Sequence, residues 1–460
     1  MPVPAVEPGH YGQPVALDDT ASAPRPSVLV TPEAQRLRTA LTAFAEITPS
    51  HLQALRRHHP DLSPDVISAI ATQARLQRRA LPRLGDLALT WILEDGALQQ
   101  ATRLDVARYR AGQLLRRLGA CTVADLGCGL GVDSFALAEA GFTVLAVEHD
   151  AWRAEAARVN LAGLGDRVEV RAMDADGLND ADWGRLRAAF VDPARRRGDA
   201  PRPLDGSRAK PLADPNNWEP SWSWILALAE RLPVVAKVAP GFDTRRTPAT
   251  ADIEWIDHAG ETVEATVWLG SLGTGRRKAT ALRDGVVDSF ESTGHRTRAA
   301  PVATEVQEWL IEPTPAVRRA GLVGEFAAAR DIPLLDAGGW LTHMHALDTP
   351  LARSWRVLHE VPWRAKDLRA WLRPYGAVTW KTIDAAQSAD AWDRRIGHSA
   401  VRAGVAVTIV VTGQGRAFAV ESIRRASTDA RDLGRPVSSQ PVSDGSDGIG
   451  SHSTAPTDEG

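Results

Sequence analysis

Short apolar runs at residues 122–126, 143–147, 168–171, 188–191 and 233–238 alternate with stretches of helical period at 132–140, 151–161 and 222–231. Runs this short and continuous are strands buried on both faces, and their alternation with helices predicts a parallel, doubly wound sheet. Two more runs, 253–257 and 263–269, flank Ala259-Gly260, a turn pair that predicts an antiparallel hairpin closing the sheet near residue 270. Upstream, residues 31–119 carry helical signals alone. Ser50 precedes an amphipathic run, Ser63 before Pro64 marks a capped start, and Thr102 with Asp105 spells a capping box ahead of residues 106–118. Downstream, residues 302–425 mix helical patterns (317–330, 365–372) with strand-like runs (377–381, 405–411, 417–421), as a small α+β domain would. Residues 1–30 and 427–460 are rich in small, polar and proline residues without periodicity, which predicts disordered tails.

Composition narrows the class. The chain has 460 residues, 54 Lys+Arg against 57 Asp+Glu, and 44% apolar residues, enough to bury large cores in roughly three domains. A net charge of −3 does not point to nucleic acid, although basic charge gathered on one face could still do so. No apolar run approaches the roughly 20 residues needed to cross a bilayer, and residues 1–26 lack a secretion signal. The two cysteines, Cys121 and Cys128, have no histidine near enough to complete a zinc set. The expectation is a cytoplasmic protein with no membrane partner, no metal and no disulfide framework.

The most specific chemistry lies in Val123-Ala-Asp-Leu-Gly-Cys-Gly-Leu-Gly-Val-Asp133. Gly127, Gly129 and Gly131 build a turn that needs unusual φ values and lets backbone approach a ligand closely. Asp125 at the strand end disfavours a dinucleotide phosphate and favours the ammonium of a methionine moiety, so the turn suits S-adenosylmethionine rather than NAD. Glu148, closing the second strand, is placed to accept both ribose hydroxyl hydrogens. Asp174, after the third strand, is placed to hold the adenine amino group. Cys128 reads as a small filler of the turn rather than a nucleophile.

With these residues the sequence resembles the class I S-adenosylmethionine-dependent methyltransferases over residues 120–270. The resemblance implies an α/β fold with a Rossmann-like seven-stranded sheet, flanked here by an N-terminal helical region and a small C-terminal α+β domain. It also implies that Asp125, Gly127, Gly129, Gly131, Glu148 and Asp174 hold the cofactor at the carboxyl ends of the strands.

The fourth strand ends in Phe190-Val-Asp-Pro-Ala-Arg195, where this class meets its acceptor. Asp192 and Pro193 are the candidate catalytic pair, Asp192 orienting the acceptor; Arg195 and Lys237 are candidate substrate contacts, and Asp243 also sits at this edge. The Asp-Pro-Ala-Arg spelling is similar to that of the RNA uracil-C5 methyltransferases, but no cysteine follows residue 128, so transfer would be a direct in-line displacement. Arg196, Arg197, Arg202, Arg208 and Lys210, followed by Trp218, Trp222 and Trp224, offer phosphate forks and stacking faces, or else a solvated loop with tryptophans packed beneath a helix. Arg276-Arg277-Lys278 is a further basic cluster open to both readings.

Over residues 31–423 the order Leu98-Gln-Gln-Ala-Thr102, Arg108-Tyr-Arg110, Asp192-Pro-Ala-Arg195, Glu312-Pro-Thr-Pro-Ala-Val-Arg-Arg-Ala-Gly321 resembles a bacterial family of methyltransferases with a C-terminal THUMP-like domain, distantly similar to trimethylguanosine synthase. That resemblance implies an RNA substrate and the divisions 31–119 (helical), 120–290 (catalytic) and 302–425 (THUMP-like). A protein or small-molecule acceptor, or a non-catalytic binding module that keeps the cofactor fold, are the alternatives.

Overall fold

The computed structural model describes residues 24–194, 214–292, 300–336, 338–362, 364–383, 391–392, 394, 405–413 and 415–422. The disordered tails expected over 1–30 and 427–460 lie outside these residues, except that 24–30 are described and contain a short helix, Pro26–Leu29.

Helices account for the chain up to Gly119, as expected. Four of them, Pro26–Leu29, Pro32–Thr42, Pro49–His58 and Pro64–Leu84, open on a proline, whose missing N–H would have no partner in a first turn anyway. Ser63 caps its helix by accepting from the Val66 amide, as read. Ser50 does not cap. It lies inside Pro49–His58, and Thr48 forms the box with His51. Thr102 does not cap either: the helix Leu104–Leu118 starts after Arg103 with no side-chain cap, and the Thr102 hydroxyl is used elsewhere.

The central sheet contains β1 (Thr122–Leu126), β2 (Thr143–Glu148), β3 (Val168–Ala172), β4 (Ala188–Val191), β5 (Val234–Val238), β6 (Asp252–His258), β7 (Glu261–Leu269), β8 (Arg277–Arg283) and β9 (Val286–Glu291). Their order is 3-2-1-4-5-7-6-8-9, with β1 to β5 parallel and β7 antiparallel to both β5 and β6. The expected hairpin is present, its turn made by Ala259 and Gly260 at φ 52° and 90°. It does not close the sheet. The exposed flank of β6 takes β8 in parallel and β9 follows, so the sheet has nine strands instead of seven.

Alternation along the strands sorts side chains to the two faces. Val123, Val144, Phe190, Val235 and Trp268 pack with the N-terminal helices and Val132–Ala140, whereas Ala124, Leu126, Ala189, Val191 and Val234 pack with Trp222–Ala229 and elements after residue 309. On the first face the pattern turns polar towards the carboxyl ends of the parallel strands, where Asp125, Lys237 and Glu264 continue the same rows.

A second sheet follows: β10 (Trp309–Pro313), β11 (Leu341–His343), β12 (Ala352–Val361), β13 (Tyr375–Thr382), β14 (Val405–Val411) and β15 (Ala417–Ser422), in the order 11-10-12-15-14-13. The single helix expected over 317–330 is two, Pro315–Arg319 and Val323–Ala329, because Gly321 breaks it at φ 69°. On β10, Glu312 accepts from Trp355 Nε1 at 2.9 Å and from Lys381 Nζ at 3.4 Å.

Candidate functional site

The glycine turn is pinned to the end of β2. The amides of Gly127 and Cys128 both donate to the Val147 carbonyl, at 2.9 and 3.0 Å, and the Gly129 amide donates to Glu148 Oε2 at 2.8 Å. Each glycine is required for its own reason. Gly127 has φ 85° and a Cβ there would lie 3.0 Å from the Asp192 carbonyl oxygen; Gly131 has φ 91° and a Cβ would strike Leu161 at 2.8 Å. Gly129, at φ 55°, faces open space with no protein atom within 4 Å of a built Cβ, which leaves a cradle for a ligand.

Glu148 is buried, with Oε2 on the Gly129 amide and Oε1 on the Asp150 amide at 3.0 Å. Burial pushes its carboxyl up, but hydrogen bonds from His149, Asp150 and Gly129 outweigh that and hold it below its ordinary value. Oε1 also meets His149 Nδ1 at 3.1 Å, so Oε2, with the Gly129 amide alone, is the oxygen that keeps a lone pair for a hydroxyl. Asp125 is fully buried; Oδ2 accepts from Ser134 Oγ at 2.5 Å, and Oδ1 has no partner. Burial, then the nearby Asp133 charge, raises its pKa above the usual carboxylate range. Asp174 lies exposed just past β3 at the start of the turn Ala175–Gly177.

Next to this turn, β4 is followed by Asp192 and buried Pro193. Lys237 Nζ, from β5, donates to Asp192 Oδ2 at 2.5 Å, to Thr102 Oγ1 at 3.0 Å and to the Gln100 carbonyl at 3.3 Å. The Thr102 hydroxyl passes its own hydrogen to Asp133 Oδ2 at 2.8 Å. Asp133 also accepts from Arg110, which reaches from Leu104–Leu118 and donates its other arm to Glu264 on β7. The Arg110 guanidinium lies 4.6 Å from the Phe190 ring centre. Burial would push Asp133 up, but Arg110 and Lys237 hold it below its ordinary value, whereas burial wins at Glu264 and raises it. Asp125, Asp133, Asp192 and Glu264 stand against Arg110 and Lys237, two more acidic than basic groups in one cluster.

The structure brings together Asp125, the three glycines, Glu148, Asp192, Pro193 and Lys237, with Asp174 exposed after the adjoining strand. Arg195 lies outside the described residues, as do Arg196, Arg197, Arg202, Arg208 and Lys210. Asp243 is turned to local use, capping Thr244–Arg246 and pairing with Arg245 at 2.9 Å. Trp218 and Trp222 are buried against each other and Phe242, so their faces are not offered for stacking. The basic cluster at 276–278 is dispersed: Arg276 pairs with Glu291 and Lys278 with Glu254 and Tyr109. Arg110, Asp133, Ser134 and Glu264 join the site unexpectedly, and Thr102 was expected only as a helix cap. Arg110 carried a signal, since it occupies the apolar stripe of its helix between Ala107 and Leu114.

Two relatives share this sequence at 34% identity over 270 residues, which is 57% of this chain and 69% of each relative: uncharacterized S-adenosylmethionine-dependent methyltransferases of Mycobacterium tuberculosis strains CDC 1551 and H37Rv. This chain belongs to the S-adenosylmethionine-dependent methyltransferases. A crystallised candidate methyltransferase from Porphyromonas gingivalis W83, 19% identical, superposes with a TM-score of 0.67 over 85% of this chain and 98% of its own, and shares the fold. No family model matches the sequence.

The residues present fit a methyltransferase's donor. S-adenosylmethionine carries a sulfonium and an ammonium against one carboxylate, so it brings net positive charge to a cluster with more acidic than basic groups and an unpartnered Asp125 oxygen. Asp125 would hold the ammonium, the glycine turn would pass beneath the methionine chain at Gly129, and Glu148 would take the ribose hydroxyls.

Two outcomes follow. Arg110→Met removes the cation between Asp133 and Glu264 and should destabilise the fold by about 3–5 kcal/mol, read from the denaturant midpoint. Because burial favours a proton on Asp125, and an ammonium held there would need the carboxylate, donor binding should release protons and tighten as pH rises. Calorimetry in buffers of different ionisation enthalpy checks this, and an affinity that does not change with pH would remove Asp125 from the role.

Proposed function

We propose that this methyltransferase acts on RNA, moving the donor's methyl group directly to a base or cap-like amine held at Asp192. The observation that carries this reading is the placement of Asp192. Its carboxylate is held by Lys237, its carbonyl abuts Gly127 of the donor turn, and buried Pro193 fixes the backbone that follows. S-adenosylmethionine supplies an electrophilic methyl on sulfur. The chain's own residues align and exclude water. Lys237 pins one Asp192 oxygen, leaving Oδ1 to accept a hydrogen from the acceptor and turn its lone pair towards the donor. The side chain of Asp192 is 23% exposed and that of Lys237 5%, so the anchor can be reached from outside while its support cannot.

Direct transfer agrees with the cysteines. Cys128 is buried in the turn and burial drives its thiol well above its ordinary pKa, and Cys121 precedes β1 at the opposite edge of the sheet. In this reading residues 31–119 complete the acceptor wall through Thr102 and Gln100, residues 120–290 carry the chemistry, and residues 302–425, the THUMP-like part, hold the RNA strand. Lys381 is engaged by Glu312, so strand contact would fall to other residues of that part.

The inward packing of Trp218 and Trp222 favours a second reading, a protein or small-molecule acceptor, since it removes two stacking faces. Tritiated donor added to fractionated lysate separates the readings by which fraction gains label.

Asp192→Ala should lower methyl transfer by about a hundredfold while donor affinity, read by calorimetry, stays unchanged. Filter binding of total RNA at two salt concentrations should show salt-dependent retention that weakens when Arg195 to Arg197 are changed to Ala; retention independent of salt and of these arginines would defeat the RNA reading.

A further inference from the structure

At the edge of the central sheet opposite the donor turn, where β1, β4 and β5 begin and β7 ends, lies a cavity of about 330 Å³. Leu118, Leu186, Leu232 and Pro233 line it together with Arg187, Arg231, Cys121 and Ser271. At about 30 Å³ per water, that volume would take a molecule of about a dozen heavy atoms, the lower end of small-ligand sites.

The charges here are one-sided. Other arginines of this region have acidic partners: Arg117 pairs with Asp252 at 3.1 Å and Arg185 with Glu169 at 2.8 Å. Arg187 and Arg231, the two that line the cavity, have none among the described residues. Arg231 instead sits 5.7 Å from the centre of the Trp183 ring, which steadies its guanidinium. Basic residues often serve the carbonyl ends of helices, and Leu104–Leu118 and Trp222–Ala229 both finish near here. Neither guanidinium donates a hydrogen bond to those carbonyls: the Gly119, Arg231 and Leu232 amides close the last turns. Both residues therefore line the cavity with exposed guanidiniums that no described acid or helix carbonyl engages.

We propose that this cavity binds a small organic anion, an oxyanion head group taken by Arg187 and Arg231 with an apolar body against Leu118, Leu186 and Leu232. Bidentate forks match carboxylate and phosphate oxygens alike, and the Ser271 hydroxyl adds a donor. The site is separate from the methyl-donor pocket. The five residues of β1 put about 16 Å between the two edges, so the anion would not compete with the donor.

Cys121 lines the cavity and is half-exposed, whereas the other cysteine, Cys128, is buried, so thiol labelling reports on the cavity directly. The test adds phenyl phosphate, benzoate or inorganic phosphate to the full chain and follows N-ethylmaleimide labelling of Cys121 beside the thermal midpoint. Phenyl phosphate or benzoate should slow labelling and raise the midpoint, and whichever acts at lower concentration identifies the head group. The exposed double variant R187Q/R231Q should need about tenfold more ligand for the same protection. Donor affinity should be the same with and without the anion. No protection by either organic anion, equal protection in the double variant, or protection by inorganic phosphate as strong as by phenyl phosphate would each overturn the proposal.

Discussion

Glu264 on β7 is buried and Asp133, on the helix after the glycine turn, is largely so, and the guanidinium of Arg110 between them is what makes that burial tolerable. An isolated buried carboxylate loses several kcal/mol of solvation, which a close, hydrogen-bonded cation offsets. Through Thr102 the same arrangement reaches Lys237, and through Lys237 it reaches Asp192. The glycine turn and Asp192 thus share one electrostatic framework, two parts of which, Thr102 and Arg110, come from the chain before the sheet begins.

The fold was largely legible in the sequence because strand burial and helix period leave plain local marks. Residues 122–126, 132–140, 151–161, 188–191 and 405–411 occupy the elements read for them. What local pattern could not carry is which strand flank stays open. Nothing in 253–257 tells that β6 will accept β8, because that pairing joins segments separated by the whole of β7. Gly321 could have divided the helical stretch over 317–330, but a glycine within an apolar pattern is ambiguous until its φ is known.

The site was legible in halves. The glycine turn with Asp125 and Glu148 is contiguous chemistry, dictated by backbone geometry, and it could be read from spacing. The supporting charges were not, because Arg110, Asp133 and Glu264 meet only after the chain has crossed the sheet, and each taken singly is an ordinary charged residue. Thr102 even presented a misleading local motif. Its hydroxyl had a plausible helix to cap, and the folded chain gave it instead to a lysine and an aspartate. The tryptophans were open to two readings, stacking faces or packing beneath a helix, and Trp218 and Trp222 take the second, in a buried aromatic cluster.

The contact between Gly127 and the carbonyl of Asp192 limits how this protein can change over time. With 3.0 Å between that oxygen and a hypothetical Cβ, any larger residue at 127 must displace the end of β4. Position 127 is therefore held to glycine by the backbone at 192, whatever side chain 192 carries.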